Sequence, residues 1–115
     1  MRARGDYNYN VEIIRVIDAD SIVCRIDLGF HTFTVQTLRL HGINAPEMRG
    51  EEKPLGVAAT NHLRTLISDC VSLRISTIRD RKGKYGRYLA VLYDDAGNNI
   101  NDRLVADGHA VAREY

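Results

Sequence analysis

The sequence predicts a small α+β domain that is mainly β, and three observations carry that prediction. Five segments concentrate β-branched residues or alternate apolar with polar ones, which is the pattern of half-buried strands. One stretch repeats apolar residues at helical spacing, and it falls between the third and fourth of those segments. At 115 residues, 44% hydrophobic and 27% charged, the chain has the size and composition of one domain around one core.

In order, residues 1–10 are polar, with Tyr7 and Tyr9 alternating, and are expected to form a flexible N-terminal arm ahead of a single domain over 11–115. Val11 to Ile17 (VEIIRVI) reads as the first strand, and Asp18-Ala19-Asp20-Ser21 as a turn. Ile22 to Leu28 alternates as a second strand, and Gly29 opens the next turn. Thr32 to Ile43 alternates again as a long third strand, with Gly42 marking a bulge. A charged connector, MRGEEKP, leads to Pro54 at a first helical position. Leu55, Ala59, Leu63, Leu66 and Ile67 then mark an amphipathic helix to about Asp69. Val71 to Ile78 is the fourth strand, the basic segment RDRKGKYGR a turn, and Tyr88 to Tyr93 the fifth strand. After the turn DDAGNN, Asn101 is expected to cap a short helix that stops before Gly108. Three strands, a helix, two strands and a short helix is the order of a five-stranded OB-fold barrel.

A formal net charge of +1 gives no global attraction for nucleic acid, so any such role rests on local charge. Cys24 and Cys70 have neither CxxC nor metal-ligand spacing and read as plain core or half-buried thiols. Histidines 31, 41, 62 and 109 lack zinc-ligand spacing. No apolar run approaches the roughly 20 residues needed to cross a bilayer. The start, MRARGDYNYN, lacks the apolar segment of a signal peptide. A soluble protein without a membrane partner, cytoplasmic as the chain stands, is the expectation.

The stretch Leu38 to Glu47 (LRLHGINAPE) places a guanidinium, an amide oxygen and a carboxylate within ten residues, at Arg39, Asn44 and Glu47. Counted by twos, Arg39 shares the face of Phe33 and Val35, an otherwise apolar face. An arginine beside core positions requires an anionic partner, either an internal carboxylate or an external phosphate. Asp20, Asn44 and Glu47 are oxygen donors at turns and suit a hard cation such as calcium; for Asp18 and Asp20 the capping of a turn is the commoner role. Arg79 to Arg87 holds five basic residues against one acid, with Tyr85 interleaved. It fits a phosphate-binding loop with a stacking ring, or a solvated hairpin tip.

Four motifs together resemble the staphylococcal nuclease (thermonuclease-like) family: IDADSI, LRLHGINAPE, KYGRYLAVLY and NDRLVADGHA, in that order and at family spacing. The resemblance runs from about Val11 to Tyr115 and implies an OB-fold, in agreement with the element order. It further implies a calcium-dependent phosphodiesterase acting on DNA and RNA. Carried over by position, Arg39, Glu47 and Arg87 match the family's catalytic trio. Asp20 matches a calcium-ligating aspartate, Asn44 stands where the second ligating aspartate usually is, and Ala45 matches a residue ligating through its carbonyl. Lys84 and Tyr85 match residues holding a terminal phosphate, and Tyr115 a tyrosine near the nucleotide. Two departures are visible: Asn44 removes one formal charge from the cation site, and longer members continue past Tyr115 into a further helix. The rival expectation is a non-catalytic OB-fold module that binds nucleic acid or protein. Asn44 favours it, whereas Glu47 beside a phosphate site opposes it.

Overall fold

The computed structural model describes residues 7–82 and 88–113, and for 79–82 the backbone only. Strands β1 (Tyr7–Asp18), β2 (Ser21–Asp27), β3 (Phe33–Leu40) and the short β4 (Ile43–Asn44) precede helix α1 (Lys53–Ser68). Strands β5 (Leu73–Lys82) and β6 (Tyr88–Tyr93), helix α2 (Ile100–Ala106) and the short β7 (Val111–Ala112) follow. The long strands close into a barrel in the order β1-β2-β3-β6-β5, with β1 also paired to β5. Among the described residues only β3 and β6 pair in parallel. The parallel pairing that closes the barrel spans Leu38–Leu40 and Tyr88–Ala90. With α1 between the third and fourth barrel strands, this is the OB-fold expected from the sequence.

Alternation along each strand divides inside from outside. Ile22, Cys24, Leu38, Leu40, Ile75 and Leu92 are buried within the barrel, and α1 and α2 add Ala59, Leu63, Ile100 and Leu104 to the same core. The Cys24 thiol is pushed up to about 12 by burial, which makes it chemically inert at neutral pH. Cys70 is half-buried with its Sγ 3.5 Å from the Leu66 carbonyl. His62 and His109 are not scattered in space. Their rings stack at 4.4 Å, and His62 Nε2 lies 2.7 Å from Asp107 Oδ2, which ties α1 to the end of α2.

Several expected boundaries move, each for a tertiary reason. Tyr7 to Asn10 do not belong to an arm: they open β1 and pair with Ser76, Thr77 and their neighbours on β5. Gly42 is not a bulge within a long strand. With φ +84° it turns the chain after Leu40, so that Ile43 and Asn44 form β4 against Ala112 and Val111 of β7. Leu55, counted as part of the buried helical stripe, is 64% exposed, and the neighbouring Gly56 is buried instead. Asn101 is not the helix cap. Asn99 caps α2 by accepting from the Asp102 N–H at 2.9 Å. Asn101 is buried, accepting from the Leu92 N–H and donating to the carbonyls of His41 and Ala90.

Candidate active site

Asp20 ends the tight turn between β1 and β2, and its main-chain carbonyl accepts the Leu40 N–H at 2.8 Å. That bond lays the turn against the end of β3, directly where Arg39 faces Ser21 across the β2–β3 ladder. The Asp20 carboxylate consequently meets three donors. Its Oδ2 accepts from Arg39 Nη1 at 2.8 Å and from the Ala45 N–H at 2.9 Å, while Oδ1 accepts from Ser21 Oγ at 3.3 Å. Arg39 Nη2 donates to the Ile43 carbonyl and to Asn44 Oδ1, each at 3.2 Å. One guanidinium therefore joins the β1–β2 turn, the end of β3 and β4.

The face expected for Arg39 is the observed one, but that face points out of the barrel. Phe33 and Val35 on it are 41% and 57% exposed, whereas Leu38 and Leu40 point inward and are buried. Arg39 is nevertheless nearly covered, because Asp20 and Asn44 fold over it. Of the two anionic partners the sequence allowed, the structure supplies the internal carboxylate.

Asn44 is placed by β4, whose pairing with β7 is reinforced by the Arg113 N–H donating to the Gly42 carbonyl at 2.8 Å. Neither β4 nor β7 is legible in the sequence, because two residues of strand carry too little periodicity to be read. Glu47 lies three residues beyond Asn44 in the exposed loop. Its N–H donates to Glu52 Oε1 at 3.2 Å, and its Oε2 accepts from Arg49 Nε at 3.0 Å. Arg49 is a further cation at this site that motif reading passed over; its only signal was its place two residues after Glu47.

Asp20, Arg39, Asn44 and Ala45 are thus brought into direct contact, with Glu47 on the same loop. Arg87, Lys84, Tyr85 and Tyr115 lie outside the described residues. Tyr88 and Leu89 of β6 pair with Leu38 and Arg39, so β6 begins beside the strand end that carries Arg39. For a divalent ion the local donors are the Asp20 carboxylate, the Asn44 amide oxygen and the Ala45 carbonyl. All are hard oxygens, the type calcium takes, but they supply one carboxylate, and that is already paired with a guanidinium. Among the described residues no group of three or more histidine, cysteine, aspartate or glutamate side chains is arranged to hold a metal. No described helix is long and apolar enough to cross a membrane.

Comparison with known proteins places this geometry in context. A family model described as staphylococcal nuclease homologue matches residues 37–115, a span that includes Arg39, Asn44, Ala45 and Glu47. The chain is also similar to Endonuclease YhcR of Bacillus subtilis (strain 168), 28% identical over 116 residues, which cover 94% of this chain and 9% of that protein. The chain therefore spans less than a tenth of that relative's length. With most of its residues inside the family match and the barrel that the motifs implied, the chain belongs to the staphylococcal nuclease family.

Proposed function

We propose that this domain hydrolyses phosphodiester bonds in DNA or RNA with little sequence preference, and that Arg39, Glu47 and Arg87 carry the reaction. The observation behind this reading is the fixed guanidinium of Arg39, held by Asp20, Ile43 and Asn44 at the rim of the barrel. Attack of water on the phosphorus builds negative charge on the phosphoryl oxygens. A cation already held in place stabilises that charge without reorganising during the reaction. Glu47, exposed on the adjoining loop, accepts or orients the proton of the attacking water. The bond to the 5′ oxygen breaks as the new P–O bond forms, which leaves a 3′-phosphate end. Lys84, Tyr85 and Tyr115 are proposed to hold the nucleotide.

Asp20, Asn44 and the Ala45 carbonyl would hold a calcium ion weakly. When bound, that ion would neutralise part of the phosphoryl charge. A second reading, a binding module that no longer cuts, draws on Asn44 and on the prior engagement of Asp20 by Arg39.

Plasmid DNA and RNA incubated with the protein, in calcium and then in chelator, decide between the two. Cleavage by the wild-type protein, lowered about 100-fold or more in a folded Glu47→Gln variant, is expected for a group in general-base catalysis. Binding of single strands with no cleavage under either condition would replace the nuclease by the binding module.

A further inference from the structure

Gly56 is the fourth residue of α1 and lies on its buried face. A Cβ at this position would stand 2.1 Å from the Glu47 carbonyl oxygen, 2.5 Å from its carbonyl carbon and 2.9 Å from the Met48 nitrogen. All three are main-chain atoms, so no side-chain rotation relieves the overlap. Glycine within a helix costs about 1 kcal/mol relative to alanine. Gly56 lies inside the helix and is not among the glycines of positive φ. Local backbone conformation therefore gives no reason for a glycine here, and the approach of the Glu47 main chain does.

The remaining restraints on Glu47 are weak. Its carboxylate pairs with Arg49 at a solvent-exposed position, and its N–H meets the exposed Glu52 side chain. Exposed ion pairs of this kind hold geometry poorly. The packed main-chain contact with α1 is rigid by comparison.

We propose that Gly56 is a positioning residue. Its missing side chain forms the seat on which the Glu47 main chain rests, and that seat fixes where the Glu47 carboxylate stands relative to Arg39. The catalytic consequence rests on the nuclease reading, but the seat itself does not.

Gly56→Ala is the test. The smallest tolerable separation for a Cβ is 3.0 Å, so Glu47 must retreat by about 1 Å, a displacement that costs on the order of 100-fold when it misplaces a reacting group. The loss should fall on kcat, with KM little changed, since Gly56 touches no substrate. In a Glu47→Gln background the same substitution should cost nothing further. The backbone amide resonances of Glu47 and Met48 should shift in Gly56→Ala. An ordinary helix glycine behaves oppositely: alanine raises the melting temperature and leaves kcat and those resonances alone, and that result overturns the proposal. So does a loss that simply adds to that of Glu47→Gln. If Gly56→Ala does not fold, Pro46→Gly combined with it lets the loop give way. A kcat below that of Pro46→Gly alone then supports the seat, and an equal kcat overturns it. If the wild-type protein does not cleave, the nuclease reading falls, and the amide shifts alone decide the seat.

Discussion

The Arg39 guanidinium holds the Asp20 carboxylate at 2.8 Å, with the two side chains only 12% and 8% exposed. Nineteen residues apart in sequence, they join the first turn of the barrel to the strand end from which the loop bearing Glu47 departs. An ion pair this well covered is costly to break from one side, because the surviving charge keeps its desolvation penalty and loses its partner.

Asp20→Asn is therefore expected to destabilise the protein by about 2–4 kcal/mol, somewhat softened by the Ile43 and Asn44 oxygens that still receive Arg39. Chemical denaturation at neutral pH measures this. A loss under about 0.5 kcal/mol, the range of exposed pairs, would mean that water replaces the carboxylate without penalty.

The outcome bears on what a single sequence can show. That Arg39 needed an anionic partner was legible from its strand neighbours, and β3 was legible from strict alternation. Which carboxylate answers it was not legible, because the Asp20–Arg39 contact exists only once the β1–β2 turn folds over the end of β3. The misplacements have the same origin. Tyr7 to Asn10 become strand through β5, Gly42 turns because β7 waits for Ile43, and Asn101 is drawn inward by carbonyls of β6 and the β3–β4 turn. Leu55 obeyed helical periodicity but lost its place to Gly56, because what packs there is the backbone of Glu47. Periodicity reports faces; it does not report partners.

The β2–β3 hairpin is closed by Gly29, Phe30 and His31, all with positive φ (83°, 56° and 59°), and Phe30 is 99% exposed. A left-handed conformation costs an ordinary residue about 1–2 kcal/mol, and asparagine tolerates it better. Phe30 recovers nothing through burial. Phe30→Asn should accordingly stabilise the protein by about 0.5–1 kcal/mol, and Phe30→Val should destabilise it. Paired thermal melts distinguish the two; equal and opposite shifts from those expected would show that Phe30 packs against a partner in solution.

Two surface carboxylates shape the acid limb of stability. Asp107 is held below the usual carboxylate range first by its hydrogen bond with His62 and then by Arg103. Asp94 is lowered first by the Asn98 N–H and then by the Asn98 side chain. A carboxylate whose folded pKa lies below its unfolded value stabilises the fold fully above the unfolded pKa, and that contribution disappears as pH falls through the folded one. Stability should therefore decline below about pH 4, the ordinary carboxylate value. Asp107→Asn should be less stable than wild type at pH 6 and should show a shallower decline toward pH 2. Urea midpoints across that range measure both effects, and parallel curves for the two proteins would remove Asp107 as a cause.

In the proposed cation site, Asn44 would limit how strongly the ion is held. Its Oδ1 accepts from Arg39 Nη2 at 3.2 Å, beside an Asp20 carboxylate that the same guanidinium already engages. A calcium ion at Asp20, Asn44 and the Ala45 carbonyl would have one shared carboxylate and neutral oxygens. Calcium affinity follows the number of charged ligands, and sites with few of them bind at about millimolar concentrations. Asn44→Asp adds a carboxylate, part of whose charge Arg39 will take up, so the gain is screened. A tenfold tightening, equivalent to about 1.4 kcal/mol, is the expectation for a screened charge a few ångströms from a divalent ion. The calcium needed for half-maximal cleavage should fall in parallel. Arg39→Met supplies the complementary arm: releasing Asp20 should also tighten calcium binding, while cleavage is lost with the guanidinium. Calorimetry with calcium, with and without a nucleotide bearing a terminal phosphate, measures both variants. If Asn44→Asp leaves calcium affinity unchanged, Asn44 is not a ligand, and the cation has no site between it and Asp20.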